Sequence, residues 1–332
     1  MSGDRRHGLA SRAAGPLGAT RREGGETAPG RKGVAGAERS EARLAWAFVA
    51  PALATIACVA IFPLLWTVWE SLHVHDLRMP WRGRRFVGLA NYAEMAADPR
   101  FWAALAHTAG FTAVSVGLEL VLGLVLALAL HRAYRGRGLV RTAVLVPWAI
   151  PTVVSALLWR FIFEERAGIA NAVLLDLGLL HEPFVWLAHP WAAWVPVVLA
   201  DVWKTTPFVA LLLLAGLQNI DASLYEAARI DGANAWQQLR HVTLPLLKPA
   251  ILVALVFRTL DAFRVFDLIY VLTGGGPGTA TEPIALYTFH ALLGNLRFGY
   301  GSALGVVIFL VTFGLALAYI RGLGVRLGEA PE

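Results

Sequence analysis

Long apolar runs separated by shorter polar stretches set the pattern of this chain. Leu44 to Trp69 gives 26 consecutive positions without Asp, Glu, Lys, Arg or His, more than the roughly 20 that a helix needs to cross about 30 Å of hydrocarbon. It is also too long for the apolar stretch of a cleaved signal peptide. Further runs are Phe101 to Leu130, interrupted by His107 and Glu119; Leu139 to Phe163, with Arg160 near its end; and Pro190 to Ile220, carrying Asp201 and Lys204. Pro249 to Leu272 is apolar except for four charges, and Phe298 to Ile320 carries none. No segment shows sustained two-residue alternation, which makes strands unexpected. The pattern predicts an all-α polytopic membrane protein with six spanning helices, at residues 44–70, 103–130, 139–163, 190–217, 249–272 and 299–320 of a membrane domain over 44–321.

Composition agrees. Of the 332 residues 57% are hydrophobic and 16% charged, against roughly 45–50% and about 25% in soluble globular chains. That excludes a disordered chain and an ordinary cytosolic enzyme. Cys58 stands alone, which excludes an intrachain disulfide or a multi-cysteine metal cluster.

The net charge of +6 gains meaning from its location. Placing the N-terminus inside puts 18 Lys and Arg on the cytoplasmic side and 7 on the other, so both termini are expected inside. The charge then reports orientation, and no nucleic-acid partner is needed. Residues 1–43 are rich in Gly, Ala, Arg and Glu and are expected to form a disordered cytoplasmic tail; 322–332 form a second tail.

Residues 218–248, between the fourth and fifth spans, are neither lipid-soluble nor a featureless linker. Asp221 or Ser223 can cap a helix with Glu226 in its first turn, Leu224, Ala227, Ala228 and Ile230 give it an apolar stripe, and Gly232 can turn the chain into a second helix through Trp236 and Leu239. Pro245 and Pro249 are expected to end that unit and restart the chain as the fifth span.

Glu226-Ala227-Ala228, three residues, Gly232, nine residues, Val242, one residue and Leu244-Pro245 resembles the EAA loop of permease subunits of binding-protein-dependent ABC importers. Val242 stands where Ile is commoner and Leu239 where Phe is usual. Phe266 to Gly278, Val146 to Pro151 and Gly88 to Tyr92 look like the carbohydrate permeases of the maltose, trehalose and glycerol-3-phosphate type, with His107-Thr108 where Asn-Thr is more usual.

The resemblance implies a type I importer of the bacterial or archaeal cytoplasmic membrane: this chain, a second homologous permease, two copies of a cytoplasmic ABC ATPase and an extracytoplasmic sugar-binding protein. ATP and Mg are expected on the ATPase and no cofactor on this chain, which contains no Gly-x-x-x-x-Gly-Lys-Ser/Thr loop. It implies that Glu226, Ala227, Ala228, Asp231, Gly232, Ala233, Leu244 and Pro245 couple to the ATPase, with Glu226 pairing a basic residue of its groove.

The fifth span alternates Arg258, Asp261, Arg264 and Asp267. Unpaired charges are costly in hydrocarbon, and steps of three residues spread these four over half the helix circumference. Two readings stay open: Asp261 and Arg264 reach a sugar pathway, or the four form a self-neutralising ladder. Asp267 is expected to be structural. Asp201 and Lys204 are expected to neutralise each other, with Lys204 also a pathway candidate. Glu119 has no local partner and is expected to hydrogen-bond another helix.

Trp148 and Trp203 are candidates for stacking on sugar, whereas Trp66, Trp69, Trp102, Trp186, Trp191 and Trp194 are expected as interfacial anchors. Pro147 and Pro151 are expected to break or kink the third span. Gly274 to Gly278 reads as an outer turn, and His73, His75 and Asp76 as solvated loop residues rather than a metal site.

The expected function is inward translocation of a di- or oligosaccharide such as trehalose or maltose by alternating access. The alternatives are a permease for glycerol-3-phosphate or a polyol and, more remotely, an ion-coupled secondary transporter, which has no reason to carry the 226–245 loop. Catalytic motifs of an intramembrane enzyme are missing from the sequence.

Overall fold

The computed structural model describes residues 31–132 and 136–322. Most of the expected N-terminal tail, residues 1–30, and the C-terminal tail beyond Gly322 lie outside the described residues. The chain divides into two units, residues 1–62 and 63–332.

The first unit holds α1 (Arg31–Ile56), followed by a π turn at Ala57–Ile61. Its start corrects the expected tail boundary: Arg31 to Arg43 is helical. The segment is built largely from Ala, Glu, Arg and Lys and has no proline, so strong helix formers extend the helix beyond the apolar run.

The second unit begins in α2 (Phe62–Ser71) and continues through β1 (His73–Val74), β2 (Arg85–Phe86), α3 (Ala90–Ala97), α4 (Pro99–His131), α5 (Arg137–Ala149), α6 (Thr152–Ile162) and α7 (Ile169–Asp176). Then come α8 (Trp194–Gln218), α9 (Ala222–Ile230), α10 (Ala235–Gln238), α11 (Leu244–Ala262), α12 (Asp267–Leu272), α13 (Ile284–Phe289) and α14 (Phe298–Gly322). Among the described residues five helical stretches are long and apolar enough to cross a membrane: Leu44–Ser71, Pro99–His131, Trp194–Gln218, Ala235–Ala262 and Phe298–Gly322. The pair α5 and α6, bent by 89° at its break, makes a sixth when taken together as one broken span. Ile150, before Pro151, is extended (φ −72°, ψ 133°), as the proline ring requires of its predecessor.

The fifth span departs from expectation. Pro245 and Pro249 do not stop the chain. Helical backbone runs from Ala235 to Ala262, with a π turn at Leu239–Thr243 taking up the extra residue. The break comes later, where α11 ends at Ala262 and Phe266 (φ −136°, ψ −67°) leads into α12. The fifth span therefore starts earlier than residue 249 and does not reach Leu272 as one helix.

The core lies between α4, α8 and α11, where Ala127, Leu130, Val209, Leu213, Leu247 and Ala254 are buried together. Gly123 lets α4 approach α8 closely: a Cβ there would stand 2.7 Å from Val209 Cγ1. On the other side of α4, Val114, Leu118, Val121 and Val125 remain exposed, a face that lipid covers without penalty.

At the end opposite the 218–248 loop, β1 and β2 form a two-residue antiparallel hairpin, His73 facing Phe86. These short strands were unexpected because two residues leave no alternation to read. His73 and His75 are half-buried and hydrogen-bonded there rather than freely solvated. His73 Nδ1 contacts the Trp69 carbonyl at 2.7 Å, and His75 pairs with the buried Glu70. Nor do all the expected tryptophan anchors face outward. Trp186 donates to Asn171 Oδ1 at 2.8 Å and Trp194 to the Ala280 carbonyl at 3.1 Å, both half-buried, whereas Trp66, Trp69, Trp102 and Trp191 are exposed.

Candidate functional site

The 218–248 loop is a two-helix unit capped locally at both ends of α9 and at the start of α10. Asp221 caps α9, its Oδ1 accepting from the Ser223 amide at 2.9 Å. That backbone hydrogen bond holds the Asp221 carboxyl below the usual carboxylate range. Glu226 falls in the second turn rather than the first. At the far end the Gly232 amide donates to Arg229 and the Ala233 amide to Ala228, at 3.1 and 2.9 Å, with Gly232 left-handed at φ 81°. This is a Schellman motif, which needs glycine at its reversal. Asn234 and Gln237 then form a reciprocal capping box, each side chain accepting from the other's amide, at 2.8 and 2.9 Å.

The unit presents Glu226, Ala227, Asp231, Gly232 and Pro245 at its surface, while Ala228, Ala233 and Leu244 are half-buried. Ile230 is 87% and Trp236 66% exposed, an apolar presentation that in a folded chain marks a partner surface. Ala228, Asp231, Gly232 and Ala233 also line a notch of about 270 Å³ between the two helices.

Deeper in the bundle, Arg258 is the hub of a buried ion cluster. Its guanidinium donates to Glu119 on α4 (2.8 Å for Nη2 to Oε1), to Asp201 on α8 (3.1 Å) and to Asp261 one turn along α11. Glu119 is fully buried and also accepts from the Thr205 hydroxyl at 2.6 Å. Three spans are thereby tied to one cation.

The ladder expected along the fifth span forms only in part. Arg258 and Asp261 pair, but the ladder stops there: Arg264 donates to the Leu260 carbonyl at 3.2 Å. The expected Asp201–Lys204 pair does not form. Asp201 turns to Arg258, while Lys204 Nζ donates to the carbonyls of Ile150 and Trp148, at 2.6 and 3.3 Å, in the break of the third span. The physical reason is competition. A broken helix leaves carbonyls without amide partners in an apolar environment, and a nearby ammonium satisfies two of them.

Asp261, Arg264 and Lys204 meet at one polar cavity of about 160 Å³, together with Asp201, Asp267, Thr152 and Thr205. Trp148 and Trp203 stand apart from it. The first stacks on Phe208 at 5.8 Å between ring centroids and the second packs edge-on against Trp159 at 6.0 Å.

Sequence reasoning did not find the polar ties at the opposite end. Arg100 reaches the buried Glu282 with two bonds of 2.7 Å, and His290 contacts the same carboxylate at 2.8 Å. His107 contacts the Glu282 carbonyl at 3.2 Å, and Thr108 accepts from the Ile284 amide at 2.8 Å. Asp98 accepts from the hydroxyls of Tyr287 and Tyr300. Burial alone would raise the Asp98 carboxyl. Those hydroxyls and the Arg100 amide outweigh it and hold the group below the usual range. Apart from His290 and Glu282, eight residues apart, the partners lie more than 170 residues apart in sequence, and no spacing rule connects them.

Comparison with known proteins adds three findings. Residues 119–324 match the family "Binding-protein-dependent transport system inner membrane component". The chain is 45% identical over 282 residues, 85% of its length and 94% of the relative's, to the trehalose/maltose transport system permease protein MalF of Thermococcus litoralis. It is 44% identical over 290 residues, 87% and 91% respectively, to the trehalose transport system permease protein SugA of Mycobacterium tuberculosis. Among solved structures, a bacterial ABC transporter involved in the import of the acidic polysaccharide alginate superposes with a TM-score of 0.74 at 23% identity, covering 88% of this chain and 98% of that one. The same fold recurs in the alginate transporter in complex with an alginate pentasaccharide-bound periplasmic protein, with a TM-score of 0.73, 23% identity and coverage of 86% and 95%.

Proposed function

The chain belongs to the family of binding-protein-dependent transport system inner membrane components, and from that premise we propose that it is the sugar-translocating permease of an ATP-driven importer for trehalose, maltose or a related neutral oligosaccharide. It is an integral protein of the cytoplasmic membrane, with both termini and the 218–248 loop on the cytoplasmic side. Its assembly comprises a second permease, two copies of an ATPase that binds ATP and Mg, and an external sugar-binding protein.

The observation that carries this reading is the capped two-helix unit at 221–243. Schellman motif, capping box and left-handed Gly232 hold Glu226 and Ile230 outward on a rigid knob. Local bonds account for its shape, and a docked partner would cover its exposed Ile230. Closure of the ATPase dimer pushes the knob. The helical backbone that runs from Ala235 to Ala262 carries the displacement directly into the fifth span. The Arg258 cluster couples that span to α4 and α8, so the three move together and the cavity changes the side on which it opens.

The cavity wall favours a neutral solute. Three carboxylates, Asp201, Asp261 and Asp267, face two cations, Lys204 and Arg264. Sugar hydroxyls can donate to the first set and accept from the second, whereas a phosphate would need cations without acids beside them. Uptake of labelled trehalose and maltose by vesicles carrying the assembled importer tests the reading. Glu226→Lys should abolish uptake and ATPase association while leaving the permease in the membrane. Retained uptake would overturn the coupling role.

A further inference from the structure

A cavity of about 730 Å³ opens where α4 and α8 end, beneath the two short helices of the 221–243 unit. Its wall is mainly apolar, with Leu128, Leu217 and Leu239. His131, Arg132 and Arg229 add basic groups, and neither Asp nor Glu is among its lining residues. The volume is in the range of pockets that hold small molecules, roughly 300–1,000 Å³.

Its level in the membrane follows from the helices. The spanning helices Pro99–His131 and Trp194–Gln218 end at the cavity, which on the proposed cytoplasmic placement of this end brings its basic groups toward the level of lipid phosphates. Arg229 Nε donates to the Tyr225 carbonyl at 3.2 Å, which lays the guanidinium along α9. Neither Arg132 nor Arg229 forms a salt bridge to an acid among the described residues. An apolar slot rimmed by unpaired cations at the cytoplasmic end of spanning helices is the chemistry that selects an anionic lipid headgroup over a zwitterionic one.

We infer that this cavity seats one anionic phospholipid, its phosphate on Arg132, His131 and Arg229 and its acyl chain along Leu128, Leu217 and Leu239. The inference rests on the proposed cytoplasmic placement of the coupling unit. The bound lipid bridges the end of α4 to α9 and braces the knob that the ATPase moves, so transport depends on the charge of the surrounding bilayer.

The test uses the assembled importer reconstituted in mixed phosphatidylcholine–phosphatidylglycerol discs, released into detergent and weighed by native mass spectrometry. Phosphatidylglycerol should be retained in preference to phosphatidylcholine. Arg132→Gln should reduce that retention roughly fivefold, as expected for one basic residue at the membrane surface. His131→Gln should reduce it less, and Arg132→Lys should keep it. Uptake should be faster in the mixed discs' lipid than in phosphatidylcholine vesicles, and Arg132→Gln should blunt that difference. Inorganic phosphate supplied to the phosphatidylcholine preparation should not substitute. Equal retention of both lipids, retention indifferent to Arg132→Gln, or displacement of the lipid by inorganic phosphate would overturn the inference. Failure of the coupling reading would show separately, as Glu226→Lys importer that still binds its ATPase and transports in either lipid.

Discussion

Lys204 on α8 donates to the carbonyl of Ile150 at 2.6 Å, the residue just before Pro151 in the broken third span. A spanning helix with an 89° break is thus held by an ammonium from its neighbour. Hydrogen bonds to charged groups contribute about 1.5–3 kcal/mol, and partial exposure places this one toward the lower end. Lys204→Met should lower the thermal midpoint of the detergent-solubilised importer and slow uptake, while Lys204→Arg should retain more of both. An unchanged midpoint for Lys204→Met would show that the break is supported by packing alone.

Removing Arg258 should be more damaging. Glu119 is fully buried and Asp201 nearly so, and truncating one partner of a buried ion cluster costs about 3–5 kcal/mol because the others remain unpaired. Arg258→Met should therefore give little folded protein. Combining it with Glu119→Gln should recover part of the loss, and a double-mutant cycle on chemical denaturation measures the coupling. Strict additivity of the two changes would contradict the pairing.

At the two-helix unit proposed to couple to the ATPase, Gly232 has φ 81° with open space around the position of a Cβ, so Gly232→Ala tests backbone conformation without a clash. Left-handed backbone costs a residue with a side chain about 1–2 kcal/mol. The strain is local to an exposed turn. ATPase stimulation and uptake should fall by a larger factor than the thermal midpoint shifts, and equal effects on all three would assign Gly232 to general stability.

Asp98 gives the pH dependence at the opposite end. Its carboxyl is held below the usual carboxylate range in the folded protein, so the stability it contributes is fully present above the unfolded value of about 3.9 and is lost as pH falls through the lower folded value. Removing the Tyr287 hydroxyl with Tyr287→Phe leaves the burial effect less opposed and raises the folded value. The variant should be less stable than the parent at neutral pH, and the difference should shrink on acidification. Denaturation curves at several pH values check this, and a constant gap between the two proteins would rule it out.

Close packing makes the last prediction. Gly123→Val places a branched side chain where a single Cβ already lies 2.7 Å from Val209, so α4 and α8 must separate. Overpacking of this kind costs about 1–3 kcal/mol. Val209→Ala in the same chain should relieve part of it, read as the yield of correctly assembled complex.

The particular residues show where sequence reading reached its limit. Gly232 and Asp221 were legible as a turn and a cap because their effect is local, expressed within a few residues by backbone conformation and short hydrogen bonds. Lys204 was misread for the same reason. Spacing along α8 offered Asp201 as a partner, but the stronger demand came from carbonyls more than 50 residues away. Pro245 and Pro249 were read as stops by a local rule that the preceding π turn overrides.

The sequence by itself determined that this chain occupies a bilayer, that its spanning segments are helices, and that a capped polar unit interrupts them between the fourth and fifth. Hydrophobic length and helix capping are short-range properties, and lipid allows few backbone solutions. Only the tertiary structure decided which charge neutralises which. Glu119, Asp201 and Asp261 converge on Arg258 from three helices, and the low-dielectric interior makes that choice by bringing distant groups within bonding distance.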